Sequence, residues 1–99
     1  MNRSPADEVA LPLEASLQIQ NVERELVRLR QVFELNGAAA IDVSGLTAID
    51  TAGVQLLLAI AREGARRHIR IHFRGDSPAL TQSLKLLGLE AALMQHEPA

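Results

Sequence analysis

Apolar and polar positions along the chain change period several times, and each change marks an element. Residues up to about Ala10 and those after about Gln95 show no apolar periodicity. The reading is therefore a loose lead-in over 1–10, a folded unit over 11–95 and a tail over 96–99. Leu11 to Ser16 is a short extended candidate, and Pro12 within it suits an edge strand or a strand start. Val22, Leu26, Leu29 and Phe33, supported by Ile19, Val27 and Val32, then recur three and four apart, which predicts a helix of about four turns with one wide apolar face. Asn21 is its expected N-cap and Asn36-Gly37 its left-handed stop.

Ala38 to Val43 is a short apolar run whose β-branched Ile41 and Val43 favour a buried strand, and Ser44 to Ala48 is turn-like. Val54, Leu57, Leu58 and Ala61 return to helical spacing, so a helix is predicted from about Thr51 to about Arg67. His68 to Arg74 alternates, with Ile69, Ile71 and Phe73 on one face and His68, Arg70, His72 and Arg74 on the other, as a half-buried strand requires. Ser77 reads as an N-cap with Pro78 at the first helical position. Leu80, Leu84 and Leu87 form the inward side of that helix, Gly88 ends it, and Ala91 to Met94 is read as a last short strand or turn. Strands alternating with helices predict an α/β domain with a mainly parallel short sheet and helices packed largely on one face. Its core is expected to hold Val22, Leu26, Leu29, Phe33, Ile41, Val43, Ile49, Val54, Leu57, Leu58, Ile69, Ile71, Phe73, Leu80, Leu84 and Leu87.

Composition narrows the function. The 99 residues include no cysteine, which excludes disulfides, thiolate metal sites and cysteine nucleophiles. A net charge of −2 with two aromatic residues, Phe33 and Phe73, argues against nucleic-acid binding. The start carries acids and a proline where a signal peptide needs basic and apolar residues, and the longest apolar stretch is broken by Gln55, so a soluble cytoplasmic protein without a transmembrane segment is expected. His68 and His72 converge on one ion only in a helix, and no metal or cofactor is expected. The chain has no nucleophile elbow, phosphate loop or paired catalytic carboxylates in one motif, which makes a small enzyme the weakest reading. Charge is uneven: between Arg62 and Gly75 stand five arginines against one acid, a stripe able to meet an acidic protein or lipid headgroups, or else to act as a solvated face.

The informative stretch is Asp50-Thr51-Ala52-Gly53, at the start of the second helix. Backbone N–H groups there lack intrahelical partners, so a negative group is welcome, and a phosphate on Thr51 would be tolerated. Gly53 keeps the first turn bare and the hydroxyl approachable. The plain alternative is that Asp50 or Thr51 is an N-cap and nothing more.

The run from Ile41 to Leu58, IDVSGLTAIDTAGVQLLL, resembles the signature of STAS domains, the anti-anti-sigma-factor-like family. His68 to Arg74 and the stretch from Ser77-Pro78 to Gly88-Leu89 extend the likeness to about Leu11 to Leu93. The resemblance implies a non-catalytic binding switch that regulates transcription. Thr51 would be phosphorylated by a partner ATP-binding serine/threonine kinase that doubles as an anti-sigma factor, with the unmodified form bound and the modified form released. The partner-binding residues it implies are Asp50, Thr51, Ala52, Gly53, Ser44 and Ser16. Departures from the family pattern are Leu13 where a glycine is usual and Ser16 where an acid is usual, and a first strand expected to be shortened or missing. Threonine in this motif also resembles STAS subunits that dock on the ATPase of a lipid-transporting ABC system, and small STAS proteins of chemotaxis, so a constitutive accessory subunit is the second reading.

Overall fold

The structure is a computed structural model that describes residues 9–34 and 38–95. Five short strands and four helices follow in the order β1 (Val9–Pro12), β2 (Ser16–Leu17), α1 (Val22–Leu29), β3 (Ala38–Asp42), β4 (Ala48–Ile49), α2 (Thr51–Arg66), β5 (Arg70–Arg74), α3 (Pro78–Leu87) and α4 (Glu90–Gln95). All strand pairs are parallel. β3 is central in a three-stranded sheet ordered β1-β3-β5, with Leu11 opposite Ile41 and Ile41 opposite Phe73, while β2 and β4 form a separate two-stranded ribbon. The expected single strand from Leu11 to Ser16 is thus two, separated at Leu13, Glu14 and Ala15. Leu13 ends the first by donating its N–H to Asp42 O at 2.9 Å.

Helix α2 is the hub. It packs against β5, β4, α1, α3 and α4. Its contact with β5 is close enough that a Cβ on Gly64 would strike the Ile71 side chain, so this glycine sets how near helix and sheet approach. Ile41, Leu57, Leu58, Ile60 and Ile71 are fully buried at this junction, and Ile71 and Phe73 share the sheet face turned to α2 while Arg70, His72 and Arg74 alternate to the other. The architecture is the small α/β domain with short parallel sheets that the alternation of periods predicts.

Several expectations need correction. His68 does not belong to β5. It sits in the turn after α2 with φ 60°, so His68 and His72 share no strand face. Ala91 to Met94 is helical, part of α4, and Leu93 is buried. Leu87 is 41% exposed, and Val27 and Ile19 are also exposed. The first helix is α-helical only to Leu29 and tightens into a 3-10 segment at Arg30–Glu34, where about three residues per turn place Val32, not Phe33, beneath Leu29. Its expected stop, Asn36-Gly37, lies outside the described residues. Asn21 stands at the N-cap position but makes no capping bond. Its amide instead bridges the loop before α1, accepting from Gln18 N at 2.8 Å and donating to Ser16 O at 2.7 Å. Ser77 and Gly88 do what the pattern predicts: Ser77 Oγ accepts from Leu80 N at 3.2 Å, and Gly88 ends α3 with φ 68°. Ser77 Oγ also donates to Leu46 O at 2.8 Å, tying α3 to the loop after β3.

The inward face of α1 holds a carboxylate. Glu25 is 0% exposed and accepts from Arg28 at 2.7 and 3.2 Å, while Arg28 also donates to Pro12 O at 2.7 Å, so the pair fastens α1 to the end of β1. Hydrogen bonding to Arg28 holds the Glu25 carboxyl below its ordinary value. Removing one partner would leave a buried charge alone, which makes the pair a constraint on how α1 can sit.

Ile71 lies between the central strand and the hub helix. Ile71→Asp is expected to abolish cooperative folding, because it puts an unpaired charge where Gly64 leaves no space for water. A circular-dichroism melt superimposable on that of the wild type would contradict this placement.

Candidate functional site

Strand β4 leads into α2 through a single residue, Asp50, whose backbone is extended and whose side chain caps the helix. Asp50 Oδ1 accepts from Gly53 N at 3.0 Å, the capping bond that serves one of the unpaired N–H groups of the first turn. Its other oxygen, Oδ2, accepts from Ile19 N at 2.9 Å, across 31 positions of sequence. One carboxylate thus joins the start of α2 to the loop between β2 and α1. The Ile19 bond first, then the Gly53 and Ala52 amides, hold the Asp50 carboxyl below its ordinary value of 3.8. Asp50 is the cap, and Thr51 is left exposed at the first helical position.

Gly53 has a different role from the expected one of keeping a hydroxyl approachable. It is buried, a Cβ there would run into Leu17 O, and it would stand 2.8 Å from Ile49 Cγ1. The glycine lets β2 pass directly beneath the first turn of α2, and Leu17 O also accepts from Asp50 N at 3.3 Å. Ribbon β2-β4 and the helix start form one rigid corner.

The surface of that corner carries exposed aliphatic side chains. A groove of about 240 Å³ between the start of α2 and the end of α3 is lined by Ile49, Asp50, Thr51, Ser83, Leu86 and Leu87. Leu86 is 80% exposed, and Ile19, held at the corner through its amide, is 66% exposed. Large aliphatic side chains so open to water, beside the polar Asp50, Thr51 and Ser83, have the composition of a protein-docking patch.

The six residues expected to bind a partner do not all meet. Asp50, Thr51, Ala52 and Gly53 form the corner. Ser16 lies in the adjoining β2, opposite Ala48, with its hydroxyl donating to Gln18 Oε1 at 2.9 Å. Ser44 occupies another corner, after β3, where its N–H donates to Asp42 Oδ1 at 2.9 Å; this bond holds the Asp42 carboxyl below its usual value. The pattern did not single out Ile19, Leu86 or Ser83 for the site. Leu86 gave no local signal, because consecutive leucines of one helix can both be buried, as Leu57 and Leu58 are in α2.

Among the described residues there is no cluster of three His, Asp or Glu able to hold a metal ion, and no helix is long and apolar enough to cross a membrane. A wider groove of about 610 Å³ runs between α1 and α2, lined by Leu26, Arg30, Phe33, Ile60, Glu63 and Arg67 among others. Its rim is internally paired: Arg67 lies 4.7 Å over the Phe33 ring, and Glu63 accepts from Arg66 and Arg67 at 2.6 Å each. The two arginines, Arg66 first, hold the Glu63 carboxyl down at about 2.

Comparison with known proteins agrees with this geometry. The family model described as Mlab, STAS domain, matches residues 2–95. Among solved structures, a sulfate transporter family protein from Wolinella succinogenes superposes with a TM-score of 0.69 at 14% identity, over 95% of this chain and 82% of that one, a likeness of fold. No curated protein matches the sequence.

The buried corner generates a stability test. Gly53→Ala is expected to destabilise the fold by about 1–3 kcal/mol, because the new methyl group meets backbone that cannot move away. Denaturant unfolding measures it. A variant as stable as the wild type would mean that β2 does not pass beneath α2 as described.

Proposed function

The chain belongs to the STAS domain family, whose members act as interaction modules, and from that premise we propose that it is a non-catalytic accessory subunit that docks on a partner ATPase of the ABC transporter type through the corner around Thr51. The observation that carries this reading is the exposed apolar surround of Thr51. Ile19, Leu86 and Leu87 present aliphatic surface that gains free energy when covered, and the corner is fixed before binding, so little ordering entropy is lost on association. The family match, of the Mlab type over nearly the whole chain, supports the subunit reading over a free-standing switch.

A second reading is favoured by the exposure of Thr51 at the head of α2. A partner kinase could reach the hydroxyl, and a phosphate there would be tolerated by the helix terminus, yet it would set a dianion among leucines and beside the Asp50 carboxylate. Bound partner would then be released. This is the anti-anti-sigma type of regulation, and it uses the same surface.

Affinity capture from the native cell, with mass spectrometry of Thr51, followed by calorimetry with the captured partner, separates the two. For a docked subunit, an ATPase of the transporter type is recovered with unmodified Thr51, and both Thr51→Ala and Thr51→Glu weaken binding about tenfold or more. For a switch, Thr51 is found phosphorylated, Thr51→Ala binds as wild type and Thr51→Glu releases. Both variants should melt close to the wild type, since Asp50 supplies the cap. Wild-type affinity in both would overturn docking through this corner.

A further inference from the structure

The basic stretch from Arg62 to Arg74 is divided by the fold. Arg70 and Arg74 lie on β5, on the sheet face turned away from α2, whereas Arg62 and Arg66 lie on α2 itself. The exposed residues of α2 are Thr51, Gln55, Ala59, Arg62 and Arg66. At about 100° per residue they fall within roughly 80° of the helix circumference, a single straight strip. The strip starts at the apolar corner, continues over an uncharged middle and ends in two cations, with Arg62 about 16 Å and Arg66 about 22 Å beyond Thr51 at 1.5 Å rise per residue. Arg66 is half-neutralised by Glu63 at 2.6 Å. Arg62 has no ion-pair partner among the described residues.

We propose that this strip is the outer part of the docking surface, and that the partner carries an acidic protein surface opposite Arg62 and Arg66. The inference rests on docking at the Thr51 corner and adds the chemistry of the partner's far side. A partner seated on Thr51, Leu86 and Leu87 that extends along α2 must pass over both arginines, and acidic side chains are what complement them there. A bilayer is the poorer match, since Arg70 and Arg74 lie on the sheet face turned away from α2 and cannot meet the same membrane plane as the strip. Exposed cations at the rim of an interface chiefly set its association rate and salt dependence, so the strip orients the partner while the apolar corner holds it.

The test uses the full chain, labelled with nitrogen-15 and titrated with poly-L-glutamate at low ionic strength. Amide shifts are expected at Gln55 to Arg66. They should disappear near 1 M salt, where the Debye length is about 3 Å. Arg62→Glu, and to a lesser degree Arg62→Ala, should weaken the apparent affinity about threefold to tenfold, while Arg70→Ala, on the sheet face turned away from α2, leaves it unchanged. That last comparison ties the binding to the strip rather than to the basic stretch as a whole, and loss of partner docking in Thr51 variants and loss of polyglutamate binding in Arg62 variants are separate readouts. Shifts confined to Arg70 to Arg74, no shifts at all, or binding along the strip by phosphatidylglycerol vesicles but not by polyglutamate would overturn the proposal.

Discussion

The side chain of Asp50 is the joint on which the site depends. A carboxylate has two oxygens with lone pairs in one plane, and here each takes an amide from a different part of the chain: Gly53 N from the first turn of α2 and Ile19 N from the loop that precedes α1. Neither bond alone would fix the corner. Together they hold the β2–α1 loop against the helix start, with Leu17 O lodged in the space that Gly53 leaves open. Because Asp50 occupies the capping position, Thr51 has no structural duty there and is displayed to solvent.

Two kinds of surface meet at this joint. Below it, aliphatic side chains of β4 and the interior of α2 run without interruption into the core, so the corner is rigid. Above it, Ile19, Leu86 and Leu87 present aliphatic surface to solvent. A rigid scaffold that sets exposed aliphatic side chains around Thr51 is suited to recognition, and it is also sensitive to charge. A phosphate at the centre would leave the fold intact and alter the surface alone. That separation of stability from binding allows a domain of this size to serve either as a fixed subunit or as a switch.

Elements with strong local periodicity were legible from the amino-acid order: α2, the alternating β5, the Ser77-Pro78 start and the Gly88 stop of α3. The corner itself was legible as a helix start whose first residues could carry function. What could not be read depends on contacts distant in sequence. Glu25 breaks the apolar pattern of α1, and only the arrival of Arg28 and the Pro12 carbonyl makes its burial tolerable. Leu13, Leu17 and Leu46 lie in loops or a two-residue strand, too short for any period, yet all are buried. Gly53 looked like a permissive glycine on local grounds, whereas its reason is a carbonyl 36 positions earlier. Ile19 was assigned to the inward helical face because spacing cannot reveal that its amide is captured by Asp50.

The claim that one carboxylate clamps both segments can be measured directly. A depressed carboxyl in the folded state contributes stability that is fully present above its ordinary value of 3.8 and is lost as pH falls through the lower folded value. Proton and nitrogen shifts of the Ile19 and Gly53 amides, followed by NMR as the pH is lowered, should therefore titrate together with a single shared midpoint below 3.8, and both titrations should vanish in Asp50→Asn. Separate midpoints for the two amides, or a titration of Ile19 that survives Asp50→Asn, would contradict the account.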